Sequence, residues 1–415
     1  MKRSGSSDLA LMGGGIPKWL FDRMTRLSLV MVEAILTEYG HQAFLSRLSD
    51  PFWFQSFGTV IGMDWNSSGV TTAVMRALKR AINPQGNALG LYVCGGKGKH
   101  SLKTPDELRR IGDATGLDAP GLTRASKLSA KVDNTALQDG YQLYLHNFVL
   151  STAGDWTVIQ QGMKPTERSA RRYHWHSGSI ESFVNEPHAA ICGDHQGEIL
   201  NLVDGQALPT REGILAIAAE HPDKILKEVP RMKLPRQKGV RAGDVDLKRL
   251  SGVLWLAQEN QVAQFEDLLL LRGLGPRTLQ SLALVSEVIH GTPTRFSDPA
   301  RFSFAHGSKG GNPYPVPTKV YDETIETLSK AVRLAKMCDT DRQNALRKLS
   351  SLAQKAEDRI TPQTQVEDLL EKERRDSWQH GGRTIHGFVP GPEADVPQRK
   401  PKSRPDDADG QLSLF

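Results

Sequence analysis

The sequence predicts an α+β protein: a helical N-terminal part with a small, mainly antiparallel sheet, then an all-helical domain and a disordered C-terminal tail. Three observations predict it. Apolar residues recur at helical spacing between Ile16 and Asp50. Extended apolar runs separated by turn residues follow Gly140. Helical periodicity returns from Arg211 and gives way to Gly, Pro and charge from about Ser377.

The first helix places Trp19, Leu20, Met24, Leu27, Val30, Met31, Ala34 and Ile35 at 3.6-residue spacing, with Pro17 suited to a first turn. Pro51-Phe52-Trp53-Phe54 reads as an aromatic core cluster, and a second helix runs from Thr71 to Ile82, closed by Asn83-Pro84. Leu143, Leu145, Phe148 and Leu150 mark a strand. Ala153-Gly154 turns it back into Trp156–Gln161. Arg171–Trp175, Ala189–Ile191 and Ile199–Val203 add three more strands. Beyond them, Asp246–Glu259, Phe265–Arg272, Pro276–Ile289 and Val320–Lys336 read as helices. The expected organisation is therefore 1–125 mainly helical with a Gly/Lys loop, 126–210 a small β region and 211–350 a helical domain. A helical extension at 351–376 and a disordered tail at 377–415 complete it.

Bulk properties narrow the function classes. A chain of 415 residues has room for two or three domains. No apolar run approaches the roughly 20 residues of a membrane helix, and the basic start Met1-Lys2-Arg3 lacks a secretory apolar segment, so the expected location is cytoplasmic. Cys94, Cys192 and Cys338 are far apart with no CxxC pair, which excludes a four-cysteine iron–sulfur cluster and argues for buried small hydrophobes. The formal charge of +6 suits a nucleic-acid partner. Lys224, Lys227, Arg231, Lys233, Arg236, Lys238 and Arg241 form a proline-broken basic segment able to follow a phosphate backbone or to serve as a solvated linker.

The C-terminus reads Gln411-Leu412-Ser413-Leu414-Phe415. It resembles the pentapeptide that bacterial polymerases and repair proteins insert into the replication sliding clamp, and all five positions agree with that consensus. The glutamine amide serves the pocket edge, while Leu412, Leu414 and Phe415 fill an apolar groove. A coil-like arm from Ser377 reaches roughly 30 Å, long enough to present it. The resemblance implies a bacterial, nucleoid-associated protein.

Phe265–Leu279 resembles a helix-hairpin-helix DNA-binding element, with Gly273-Leu274-Gly275 at the turn. Glycines permit positive φ and close approach to a phosphate. Pro276 suits the first turn of the second helix, Arg277 and Thr278 offer a charge and a hydroxyl, and Leu274 packs inward. Such contacts to double-stranded or damaged DNA position a protein without reading sequence. Among families with this hairpin are DNA glycosylases, which carry a catalytic aspartate after it, a place that Asp298 roughly occupies. Lyase-competent members have a lysine where this chain has Arg277, which cannot form a Schiff base.

The candidate chemistry lies upstream. Val93–Ser101 reads as a flexible basic loop after a short strand, without P-loop order, whose Lys97 or Lys99 can serve as an amine nucleophile. Lys127, Lys131, Asp133, Asp139 and His146, then Gln160, Gln161, His174 and His188, supply further polar groups. From these come three expectations. The first is a glycosylase, with Asp298 polarising water or stabilising the sugar cation and Lys97, Lys99 or Lys131 as the amine of a lyase step; it needs no cofactor. The second is a structure-specific nuclease with Asp133 and Asp139 holding magnesium. The third is a DNA and clamp adaptor without catalysis.

Over about residues 1–350 the chain also resembles an uncharacterised bacterial and archaeal family, domain of unknown function 763. Met1–Gly5, Pro51–Gln55, Cys94–Lys99, Leu137–Tyr144 and Arg172–Trp175 carry that resemblance.

Overall fold

The computed structural model describes residues 9–10, 16–63, 68–164, 169–229, 247–300, 318–335, 338–357, 383–384 and 387–388. The protein is α+β. The chain divides into two units, Met1–Lys355 and Ala356–Phe415.

The first unit opens with strand β1 (Leu9–Ala10) and helices α1 (Lys18–Leu48), α2 (Pro51–Ile61) and α3 (Ser68–Ile82). The expected first helix is present but not continuous, because Gly40 takes φ +78°, outside the helical range. Asp50 starts α2 by accepting from the Phe52 and Trp53 amides at 2.9 and 3.0 Å, so the aromatic cluster is a capped helix. Trp53, Phe54 and Phe57 are buried on it. After the short α4 (Gly86–Leu89) come β2 (Leu91–Lys97), α5 (Thr104–Thr115) and α6 (Ala119–Lys131), the last capped by Asp118 through the Gly121 amide at 3.0 Å.

Strands β3 (Leu137–Gln138), β4 (Gln142–Ser151), β5 (Trp156–Lys164), β6 (Ser169–His176), β7 (Ala190–Cys192) and β8 (Glu198–Asn201) follow. The main sheet is antiparallel, ordered β1-β6-β5-β4-β2, with β7 pairing β6 as well. Two of its strands, β1 and β2, come from the part expected to be helical. Next are α7 (Leu208–Ala219), α8 (Pro222–Glu228), α9 (Leu247–Glu259), α10 (Phe265–Leu270) and α11 (Pro276–His290). The 211–350 region is not purely helical, because β9 (Phe296–Ser297) pairs with β8 and joins it and β3 in a second small sheet. Helices α12 (Thr318–Leu334) and α13 (Asp339–Glu357) complete the described part of this unit. In the second unit, β10 (Arg383–Thr384) pairs antiparallel with β11 (Gly387–Phe388).

Strand alternation sends successive residues of the main sheet to opposite faces. Val149 and Ile159 pack with α1–α3 and with Leu328 and Val332 of α12. Phe148, Val158, Tyr173 and Trp175 pack with α5–α11 and with the turn between α10 and α11, including Leu268, Leu274 and Leu282. The hairpin helices thus share one core with the sheet. Cys94 and Cys192 are buried as expected, while Cys338 is exposed. No helix among the described residues is long and apolar enough to cross a membrane. Most of the Lys224–Arg241 basic segment, most of 351–376 and the Gln411–Phe415 pentapeptide lie outside the described residues.

Candidate functional site

A row of paired residues crosses the sheet on the face toward the hairpin: Gly96 opposite His146, His146 opposite Gln160, Gln160 opposite Tyr173, and Tyr173 opposite Ile191. Such cross-strand neighbours stand within side-chain reach. The His146 Nδ1 meets Gln160 Oε1 at 2.8 Å, and Gln160 Nε2 donates to Asp133 Oδ2 at 2.5 Å. Burial lowers the His146 pKa to about 4, so the ring is neutral near pH 7. Its Nδ1 therefore carries the proton toward the glutamine oxygen. Its Nε2 accepts from Ser126 Oγ at 2.8 Å.

That chain ends on Asp133, which is fully buried in a π-helical turn, Val132–Ala136. Trp175 Nε1 donates to Asp133 Oδ2 at 3.0 Å, and His188 Nε2 meets Asp133 Oδ1 at 2.5 Å. Burial pushes the Asp133 pKa up, and the donors around it, His188 first, pull it back. In a neutral imidazole that gives its Nε2–H to the carboxylate, Nδ1 is the lone-pair nitrogen. Trp175 packs against the ring at 4.5 Å between centroids and fixes its plane.

His188 forms part of the wall of a cavity of about 370 Å³, within the size range of small-molecule sites. Glu186, His195, Asn201, Asp204 and Asp298 also line it, over a floor that includes Ile191, Val203 and Pro299. Glu186 sits at φ +46°, a conformation that non-glycine residues rarely take and that often marks function.

Asp298 joins a second network. Its oxygens accept from Arg171 Nη1 and Nη2 at 2.9 and 2.7 Å, and from the Gln196 and Ala300 amides at 2.7 and 3.0 Å. Arg171 also reaches Asp139 at 2.8 Å, and Tyr173 donates its hydroxyl to the same Asp139 oxygen at 2.8 Å. Burial raises the Asp139 pKa against the pull of Arg171. It also opposes the Arg171 charge, but Asp139, Tyr173 and Asp298 more than restore it.

The predicted site residues therefore separate. Asp298 lines the cavity, whereas Asp133 and Asp139 stand behind its wall, each engaged by several donors and without exposed carboxylate oxygens to offer a metal. Among the described residues no group of three or more His, Cys, Asp or Glu side chains is placed to hold a metal ion. Lys97, Lys99 and Lys131 are not part of the cavity lining. Lys97 is exposed, its ammonium 5.7 Å from the Tyr144 ring centre. Half-burial lowers the Lys131 pKa, and its Nζ donates to the Leu274 carbonyl at 2.7 Å. The segment read as a flexible loop is ordered: β2 continues through Gly95-Gly96-Lys97, and a short 3₁₀ helix spans Gly98–Lys103. Gly95 is required there, since a Cβ would lie 2.1 Å from the His146 carbonyl oxygen and φ is +85°.

Helices α10 and α11 are joined through Gly273-Leu274-Gly275. Gly273 takes φ +88°, but Gly275 is extended at φ −122°, ψ 178° as the residue before α11. A Cβ at either glycine would meet nothing within 4 Å, so the turn faces open space. Leu274 is buried as expected, Arg277 is exposed, and Thr278 is turned inward. The first α11 backbone bond runs from Leu279 N–H to Gly275 O at 3.0 Å, which leaves the Arg277 and Thr278 amides ahead of it. Gln138 Nε2 donates to the Pro276 carbonyl at 2.8 Å. Lys131 and Gln138 thus clip the hairpin from both sides of the turn that carries Asp133.

Sequence reasoning named His146, Gln160 and His188 only as scattered polar residues, and did not single out Arg171, Ser126, Glu186, His195 or Asp204. The available signal was the run Arg171–Trp175, in which polar and aromatic residues occupy both phases of a strand instead of alternating with solvent-facing ones.

The sequence profile of a family described as protein of unknown function (DUF763) matches residues 5–316. No curated protein and no solved structure matches the chain.

Proposed function

Because the chain belongs to the DUF763 family of proteins of unknown function, we propose its function from the site: a DNA-repair enzyme, tethered to the sliding clamp, that hydrolyses the N-glycosidic bond of a damaged nucleotide. The observation that carries this reading is the segment Lys131–Gln138. It holds the hairpin carbonyls at its two ends and, between them, presents Asp133 to His188 at the cavity wall. A grip on DNA and an aimed histidine would then share one rigid support.

The hairpin supports a phosphate contact by its open glycine turn, the first-turn amides of α11 and the exposed Arg277. In the proposed reaction a flipped nucleotide enters the cavity. His188 Nδ1 takes a proton from water, the water oxygen bonds to C1′, and the C1′–N bond breaks with its electron pair leaving on the base. Asp133 holds the tautomer and stabilises the imidazolium. Asp298 and Asp139 with Arg171 carry a net formal charge of −1 when both are ionised (two carboxylates against one guanidinium), a field that favours positive charge on the sugar. Lys131 serves the hairpin in this account and not as an amine nucleophile. The Gln411–Phe415 pentapeptide supplies the clamp contact, and its deletion abolishes clamp binding while leaving base release intact.

The test uses labelled duplexes carrying uracil, oxidised or alkylated bases, abasic sites, flaps or mismatches, with magnesium or EDTA, before and after alkali. Lesion-dependent breaks that need alkali and survive EDTA are expected. Magnesium-dependent cutting of one DNA structure would replace this reading with the nuclease, and inertness on every duplex would replace it with the adaptor.

A further inference from the structure

The 3₁₀ turn Gly98–Lys103 takes no part in the chemistry above, yet it presents the most exposed large apolar side chain described: Leu102 is 80% accessible. A single exposed leucine on a surface is ordinary. This one differs in its charge surroundings and in how firmly it is held.

Lys97, Lys99, His100 and Lys103 are all exposed around it, and no acidic residue occurs between Val93 and Thr104. The nearest acids are already engaged, Asp106 with Arg109 at 2.6 Å and Glu107 with Lys79 at 2.7 Å. The base of the turn is fixed on both sides. Gly95 N–H donates to Glu107 at 2.7 Å and the Gly95 carbonyl accepts from Lys79 at 2.8 Å. Ser101 Oγ closes on the Gly98 carbonyl at 2.6 Å, and Thr104, fully buried, donates to the Ser101 carbonyl at 2.7 Å. Ordering entropy is thereby spent on folding and not on binding.

The turn also leaves the sheet beside the start of β4, where the segment that clips the hairpin enters it. Lys97 pairs with Leu145 across β2 and β4. Two residues earlier in β4, the Leu143 amide reaches Asn134, which lies between the hairpin clips Lys131 and Gln138. A rigid basic turn with one projecting aliphatic side chain matches a duplex in both chemistries: ammonium groups for phosphates and an apolar wedge for a base step.

We propose that Leu102 is a wedge that inserts between base pairs of a DNA duplex held by Lys97, Lys99 and Lys103. The proposal rests on the DNA reading and adds to it the element that unstacks the helix. The full-length protein is titrated onto a duplex with 2-aminopurine at a central step, reading anisotropy for binding and fluorescence for unstacking. Wild type raises the fluorescence several-fold. Leu102→Ala, at an exposed position, binds within about twofold and loses most of that rise. The Lys97→Gln/Lys99→Gln/Lys103→Gln variant binds at least tenfold more weakly, and its salt slope falls by about 3. Binding with an unchanged fluorescence response in Leu102→Ala overturns the wedge and spares the function above. Failure of wild type to bind duplex sinks both. Binding of wild type to phosphatidylserine vesicles but not to duplex assigns the turn to a membrane surface and overturns the wedge.

Discussion

Arg171 and Arg172 are consecutive in β6 and point to opposite faces of the same sheet, both fully buried. Arg171 is shared by two carboxylates, Asp139 and Asp298, in the network that reaches the cavity. Arg172 lies over the Phe54 ring at 4.5 Å, donates to His174 at 2.8 Å and approaches Thr71 at 3.4 Å. Among the described residues no carboxylate pairs with it, and burial lowers its pKa. The same side chain is thus neutralised on one face and only solvated by neutral groups on the other. Removing one partner of a buried ion pair strands the other, whereas removing a buried ion that has only neutral neighbours strands none. The difference marks the hairpin-facing side as the one where charge has been organised, and the α1–α3 side as support.

The largest expected effect breaks the paired side. Arg171→Met leaves Asp139 and Asp298 buried without a cation and should cost about 3–5 kcal/mol in urea unfolding. A loss below about 1 kcal/mol would mean that the ion network does not hold this face together. Next is pH. His146 has a folded pKa near 4 against 6.5 unfolded. Above pH 6.5 both states are neutral and His146 adds no pH dependence. Between 6.5 and 4 the unfolded state alone binds the proton, so stability falls with acidification by about 3 kcal/mol and then levels off. Asp133 and Asp139, whose pKa values are raised, act in the opposite direction. His146→Gln against wild type isolates the histidine, and identical pH slopes would contradict its buried neutral state. The smallest effect tests the unpaired side. Arg172→Met should lie within about 1 kcal/mol of wild type, since no buried anion is stranded. A loss like that of Arg171→Met would erase the contrast between the faces.

How much of this was legible in the sequence follows from range. Helix α3, the strands after Gly140 and the hairpin were readable because their signals are local: apolar period, turn glycines, Pro276 at a first turn. A short strand was expected before the Val93–Ser101 segment, but its continuation through Gly95 and Gly96 was hidden, because these glycines read as loop until the close approach of the His146 carbonyl explains them. The break at Gly40 was masked by the apolar spacing that continues on either side. The site was legible only as a set of polar residues. Asp133 and His188 are 55 residues apart and meet at 2.5 Å, while Arg171 and Asp298 are 127 apart. No spacing rule joins them, because sheet register and the β8–β9 pairing bring them together. The bond from Lys131 to the Leu274 carbonyl was equally out of reach, because the two residues are 143 apart in sequence.

The central claim is that His188, oriented by Asp133, activates water in the cavity. It is tested most directly by single-turnover base release in EDTA, on whichever lesion duplex wild type processes, with wild type, His188→Gln and Asp133→Asn. The account predicts a fall of at least roughly 100-fold in both variants, with duplex binding within about twofold of wild type. Unchanged rates in variants that bind normally would contradict it.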